Sequence, residues 1–163
     1  MLSKPRIIKR ADEPYVYLAR TVSMADLEDV SSEFSRLRDL LGKNEPDEAG
    51  VSIIRYRRID MERTLDVEFG ALVAIADDPV DDLERGVLPA GDYASAVWTG
   101  DYGGLVDANA ALLKWVEQSE RAIDVQGTPT GDRFGCRLEI YRVGPDDNTD
   151  AARWQTEILF KLI

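Results

Sequence analysis

The chain has 163 residues, 44% of them hydrophobic, which suits one folded domain with a sizeable core. Its net charge of −11 repels phosphate backbones, so it argues against direct nucleic-acid binding and favours cationic small molecules or basic partners. Histidine is absent and Cys136 is the only cysteine, so an internal disulfide, a Ser/His/Asp triad and a Cys/His pair are excluded, a transition-metal site is not expected and no cofactor is implied.

In chain order, Pro5 to Arg10 reads as a short strand and Asp12-Glu13-Pro14 as a turn. Tyr15 to Val22 is a strand rich in aromatic and β-branched residues. Ser23 and Asp26 are candidate N-caps. Leu27, Val30, Phe34, Leu37 and Leu41 recur at spacings of three and four, predicting a helix from about Met24 to Leu41 that ends at Gly42. A polar loop from Lys43 to Gly50 leads to strands at Val51–Tyr56 and Thr64–Val73. The acidic, proline-bearing stretch from Asp77 to Glu84 reads as a joint between two halves.

The second half opens with Leu88-Pro89-Ala90-Gly91-Asp92 and a strand at Tyr93–Thr99. Gly100-Asp101-Tyr102-Gly103-Gly104 then turns into a helix from about Leu105 to Arg121, with Leu105, Ala108, Leu112, Trp115 and Val116 on its apolar stripe. Gly127 to Gly135 reads as a loop. Two closing strands, Leu138–Arg142 and Trp154–Phe160, flank the turn Gly144-Pro145-Asp146-Asp147-Asn148. Alternation along a strand puts Glu139 and Tyr141 on one face and Leu138 and Ile140 on the other. A carboxylate beside a ring is either a solvated sheet residue, paired with Arg142 or Arg153, or the acidic floor of a pocket.

Each half reads strand, helix, strand, strand. Tyr15 lies over Tyr93 and Leu27 over Leu105, while Glu68 lies over Glu157. On this repeat Tyr56 corresponds to Tyr141 and Ile54 to Glu139. An aliphatic residue in one half therefore stands where the other half carries an acid, so the fold alone does not require the acid.

Leu88-Pro89-Ala90-Gly91-Asp92-Tyr93-Ala94, Gly100-Asp101-Tyr102, Glu139-Ile140-Tyr141 and Trp154-Gln155-Thr156-Glu157-Ile158 occur in an order and spacing that resemble the GyrI-like (gyrase-inhibitor-like) domain. The resemblance spans nearly the whole chain. It implies an α+β fold. Two pseudo-twofold-related strand-helix-strand-strand modules, about residues 5–76 and 84–163 of a single domain 1–163, would form a curved antiparallel sheet with two helices on one side. It also implies a ligand cleft between the modules, in which a buried glutamate meets lipophilic cations. The match puts that role on Glu139. Two departures stand out: the last strand, with Phe160-Lys161-Leu162, lacks a frequent family proline, and the chain begins directly with the first module, without the fused DNA-binding helix-turn-helix of many members.

On this reading the chain is a stand-alone, cytoplasmic protein that senses or sequesters lipophilic aromatic or cationic compounds. Its ligand-binding candidates are Glu139, Tyr141, Trp154, Glu157, Trp98, Tyr102 and Tyr17. Rings give rigid apolar area and cation–π attraction, and a carboxylate gives Coulombic attraction. Trp115, Phe34 and Phe69 are assigned to packing, and Cys136 to an inert apolar role. Two alternatives remain. One is a hydrolase of cyclopropane-type electrophiles, as the resemblance implies for some members, with Glu139 or Glu157 acting on water. The other is an inhibitor of DNA gyrase, or a partner of a separate regulator, acting by protein–protein contact. No membrane-spanning apolar run is present, so no membrane partner is expected.

Overall fold

The computed structural model describes residues 1–28, 30–41, 50–72 and 83–163. Gly42, most of the 43–50 loop and most of the acidic joint lie outside these residues. The described elements are β1 (Arg6–Arg10), β2 (Glu13–Val22), α1 (Ser31–Leu40), β3 (Val51–Ile59), β4 (Leu65–Leu72), β5 (Glu84–Leu88), β6 (Gly91–Thr99), α2 (Leu105–Glu117), β7 (Val125–Thr128), β8 (Gly131–Phe134), β9 (Arg137–Val143) and β10 (Gln155–Lys161). The strands form one antiparallel sheet in the order β1-β6-β10-β9-β3-β4-β2-β5, with the β7–β8 hairpin attached to β3 through β8.

The fold is α+β, a curved antiparallel sheet with two helices on one side, and its pseudo-twofold symmetry is written in the pairing register. At the centre, Ile54 of β3 sits opposite Glu139 of β9. A twofold through this pair exchanges Tyr56 with Tyr141. The flanking ladders agree: Gly70 opposes Ile53 as Leu159 opposes Leu138, and Phe69 opposes Leu18 as Ile158 opposes Ala96.

The curvature has a covalent cause. Residues 11–12 alone separate β1 from β2, and residues 89–90 alone separate β5 from β6. Yet β1 pairs with β6 and β2 with β5 in one continuing register, Arg10 opposite Gly91 and Glu13 opposite Leu88. The same two chain segments thus supply both edges of the sheet, which curls until Tyr15 and Tyr93, from its two ends, share one buried cluster with Ile53, Leu138 and Ile140. Gly86 belongs to this closure, because a Cβ there would lie 2.7 Å from the Tyr15 ring.

The other face carries both helices. α2 packs Leu105, Ala108, Leu112 and Val116 onto Ala94, Ala96, Ile158 and Phe160. Leu37 of α1 packs against Val16, Leu18 and Ala71, while Leu27, Val30 and Phe34 cover Leu65, Val67 and Phe69. No helix among the described residues is long and apolar enough to cross a membrane.

Several boundaries depart from sequence expectation. The first helix begins at Ser31 rather than Met24, because Ser23 and Asp26 exchange side-chain hydrogen bonds to each other's backbone N–H (3.1 and 3.3 Å) and close a separate 3-10 turn at Ala25–Glu28. The second helix ends at Glu117. Glu13 and Pro14 belong to β2, whose edge ladder recruits β5, an element without a periodic apolar signal. The stretch 127–135 is largely the β7–β8 hairpin, turning through Pro129 and Thr130 into Gly131, whose φ is 119°.

Leu112 is fully buried at the centre of the α2 contact. Leu112→Ala is expected to cost about 2–5 kcal/mol, read as a lower midpoint in urea unfolding.

Candidate functional site

Between the two helices and the sheet lies a cleft of ≈ 1760 Å³. Leu27, Val30 and Phe34 form one wall, and Leu105, Val106, Asn109 and Leu113 of α2 form another. Ile54, Tyr56, Arg137, Glu139 and Tyr141 rise from the central strands as its floor. The floor follows from strand alternation: Arg137, Glu139 and Tyr141 leave the same face of β9, and their neighbours across the twofold, Ile54 and Tyr56, leave the same face of β3.

Glu139 is only 5% exposed. Burying a carboxylate is expensive unless hydrogen bonds replace its water. Three side chains do so here. Tyr141 donates to Oε2 at 2.6 Å, Tyr56 donates to the same oxygen at 3.1 Å, and Asn109 Nδ2 donates to Oε1 at 3.0 Å. Asn109 also donates to the Leu105 carbonyl at 2.9 Å, which fixes its amide on the helix. Burial, reinforced by the negative charge of Glu139, holds the Tyr56 and Tyr141 phenols well above their ordinary pKa, so both remain proton donors to the acid. Arg142 and Arg153 pair instead with Glu157 and Asp150.

The rings around Glu139 form a connected set. Tyr141 meets Phe34 edge-on at 6.0 Å and Tyr102 at 5.6 Å. Tyr102 in turn lies 4.8 Å from Trp154, and burial raises its phenol pKa. Among the described residues, no cluster of three or more His, Cys, Asp or Glu is placed to hold a metal ion.

The sequence candidates divide by position. Glu139, Tyr141 and Tyr102 line the cleft. Trp154 stands behind Tyr102, its indole N–H given to the Asn148 carbonyl, and does not line it. Trp98 also stands outside the lining: its N–H goes to the Asp101 carbonyl, and it packs so closely on the turn before α2 that a Cβ on Gly104 would lie 2.1 Å from the ring. Tyr17 and Glu157 lie on the opposite face, because each is one residue out of phase with the cleft-facing set. Tyr17 stacks on Tyr15 at 5.1 Å, and burial beside Glu84 raises its pKa to about 12. Glu157 accepts from Arg142 at 2.8 Å and from Ser95 at 3.2 Å, as its mate Glu68 accepts from Tyr15. Phe34, assigned to packing, is a cleft wall.

Tyr56, Asn109 and Arg137 were not among the candidates. Signals for them existed. Tyr56 is the twofold mate of Tyr141. Asn109 falls on the apolar stripe of its helix, where an amide needs a partner. Arg137 precedes Glu139 by two residues and so shares its face.

The sequence profile of the GyrI-like small molecule binding domain matches residues 3–163. Among curated proteins, none matches significantly. Several solved structures match across nearly the whole chain. EcmrR, in a cryo-EM structure of its complex with DNA, shares 19% identity at a TM-score of 0.71, over 98% of this chain and 57% of that one. This chain therefore spans little more than half of EcmrR. The crystal structure of the EcmrR C-terminal domain shares 20% identity at a TM-score of 0.68, over 98% and 97% of the two chains. SAV2435 bound to tetraphenylphosphonium shares 13% identity at a TM-score of 0.65, over 99% and 94%. At such identities the structural likeness establishes the fold.

Two outcomes test the described packing of the tyrosines, those of the cleft floor among them. Tyr141→Phe keeps the ring but removes the 2.6 Å bond, and is expected to lower unfolding stability by about 1–3 kcal/mol. All six tyrosines hold their phenol protons more tightly than free tyrosine, whose pKa is 10.0. A raised folded pKa leaves stability level below about pH 10 and erodes it above, where unfolded phenols ionise first. Phenolate absorbance of the folded chain should therefore emerge only above pH 10. Native phenols titrating with a midpoint near 10 would contradict this.

Proposed function

The chain belongs to the GyrI-like small-molecule-binding domain family, and from that premise we propose that its cleft takes up lipophilic aromatic compounds, cationic ones included, and so senses or sequesters them. The observation that carries the reading is Glu139, a carboxylate 5% exposed on the floor of a ring-walled cleft of ≈ 1760 Å³. A concave apolar site with a few convergent polar groups suits a small organic ligand. Phe34, Tyr56, Tyr102 and Tyr141 supply faces and edges for aromatic contact, and Glu139 supplies a charge little screened by water. The phosphonium bound to SAV2435, a protein of the same fold, supports a cation of this size as a first probe.

Hydrolysis in the same cleft has less support. Glu157, the second carboxylate considered for it, faces the other side of the sheet in a pair with Arg142. Glu139 already accepts hydrogen bonds from three side chains, which suits a fixed charge better than a base that must take a proton from water.

Tetraphenylphosphonium titrated against the chain, followed by tryptophan fluorescence, tests the proposal. Trp154, in contact with Tyr102 at the cleft edge, is placed to report occupancy. Saturable binding is expected, weakened about tenfold or more by Glu139→Gln, which at ~1.4 kcal/mol is a modest demand on a buried charge. Equal affinity of both proteins would sink the assignment of Glu139.

A further inference from the structure

The cleft floor holds a base as well as an acid. Arg137 lies two residues before Glu139 on β9 and points to the same face. Its guanidinium carbon lies 4.7 Å from the Phe160 ring centroid, 5.0 Å from that of Phe134 and 5.9 Å from that of Tyr56. These rings attract the cation but accept few of its hydrogens. A guanidinium carries five N–H donors. Here Nη2 reaches Asn109 Oδ1 at a long 3.4 Å, and Nε, shielded from solvent, has no acceptor. Glu139 does not fill the gap, because Asn109 stands between the two side chains, donating to Glu139 and accepting from Arg137. Burial pushes the Arg137 pKa down, the direction expected of a cation short of partners. Nε itself is closed to solvent, but Arg137 is only half-buried and lines the cleft, so a guanidinium short of acceptors presents its outer N–H groups to one from outside.

We infer that the ligand of this cleft is a dipolar aromatic compound, which sets a cationic group against Glu139 and an anionic acceptor such as a carboxylate against Arg137. The inference rests on the reading of the cleft as a small-molecule site and names the ligand class. A lone cation uses Glu139 and leaves Arg137 without an acceptor, and a lone anion uses Arg137 and leaves Glu139 without a counter-charge. An ampholyte matches both. The guanidinium fork suits a carboxylate in particular, because two parallel N–H bonds can reach its two oxygens. Asn109 holds the two charges in register, donating to Glu139 and accepting from Arg137.

Rhodamine 110 and its methyl ester, rhodamine 123, form a matched pair of probes. They share one cationic ring system and differ in whether the pendant carboxyl is free. Each is titrated against the full chain at pH 7 and read by fluorescence polarisation. The free acid is expected to bind at least about tenfold more tightly than the ester, the scale of one good charge-assisted contact. Arg137→Met, which keeps the apolar stem, should abolish or reverse the preference. Arg137→Lys should retain part of it, and Glu139→Gln should weaken both dyes. The wild-type ratio needs no variant to fold. Equal affinities, a preference for the ester, or a preference unchanged in a folded Arg137→Met protein would overturn the inference and leave uptake by the cleft standing. Binding of neither dye would overturn both.

Discussion

A carboxylate taken out of water must recover its hydrogen bonds from the protein, and this constraint organises the molecule around Glu139. The idealised cost of burying an unpaired charge is larger than the whole stability of a domain, and hydrogen bonds to a charged group return about 1.5–3 kcal/mol each. Tyr56, Tyr141 and Asn109 meet the requirement from three elements: β3, β9 and α2. None of them can move without uncovering the acid. The same contacts tie the sheet to its helix and keep the cleft floor in place.

The duplication explains how such a site arises on a symmetric scaffold. Ile54 and Glu139 face each other across the pseudo-twofold, so an acid at both places would put two buried carboxylates side by side, where they could not both ionise. With an aliphatic residue in one copy and an acid in the other, a single charge remains, and the tyrosines of both copies converge on it. The symmetric acids Glu68 and Glu157 have a different role. They lie on the opposite face, each beside an arginine of the same repeat position, Arg57 or Arg142, and each accepting from a hydroxyl, that of Tyr15 or of Ser95. Symmetry marks the structural acids, and its breaking marks the acid in the cleft.

Much of the fold was legible in the sequence because its long elements carry clear periods. The alternation in β9 placed Glu139 and Tyr141 together, and the offsets of the repeat agree with the ladders at Ile54, Phe69 and Ile158. The rest depends on pairing that no local pattern records. β5 exists because β2 offers it an edge, and the curvature comes from two short links that force β1 and β5 onto the opposite module. Within the site, the face a side chain leaves decides its role more than its chemistry does. Glu157 and Tyr17 have suitable chemistry but the wrong phase, whereas Arg137, which has the right phase, carries no local signal that separates it from the chain's other cations. Trp98 and Trp154 stand one layer behind the lining because their indole N–H groups are committed to backbone carbonyls.

Guest molecules are expected to meet the face of the sheet that carries Glu139 and both helices. A crystal structure of the chain grown with tetraphenylphosphonium addresses this expectation most directly. The phosphonium is expected between α1 and α2, over Glu139, with its rings against Tyr56, Tyr102 and Phe34. A ligand seated on the opposite face beside Glu157 and Tyr17, or a cleft left empty at saturating concentration, would contradict it.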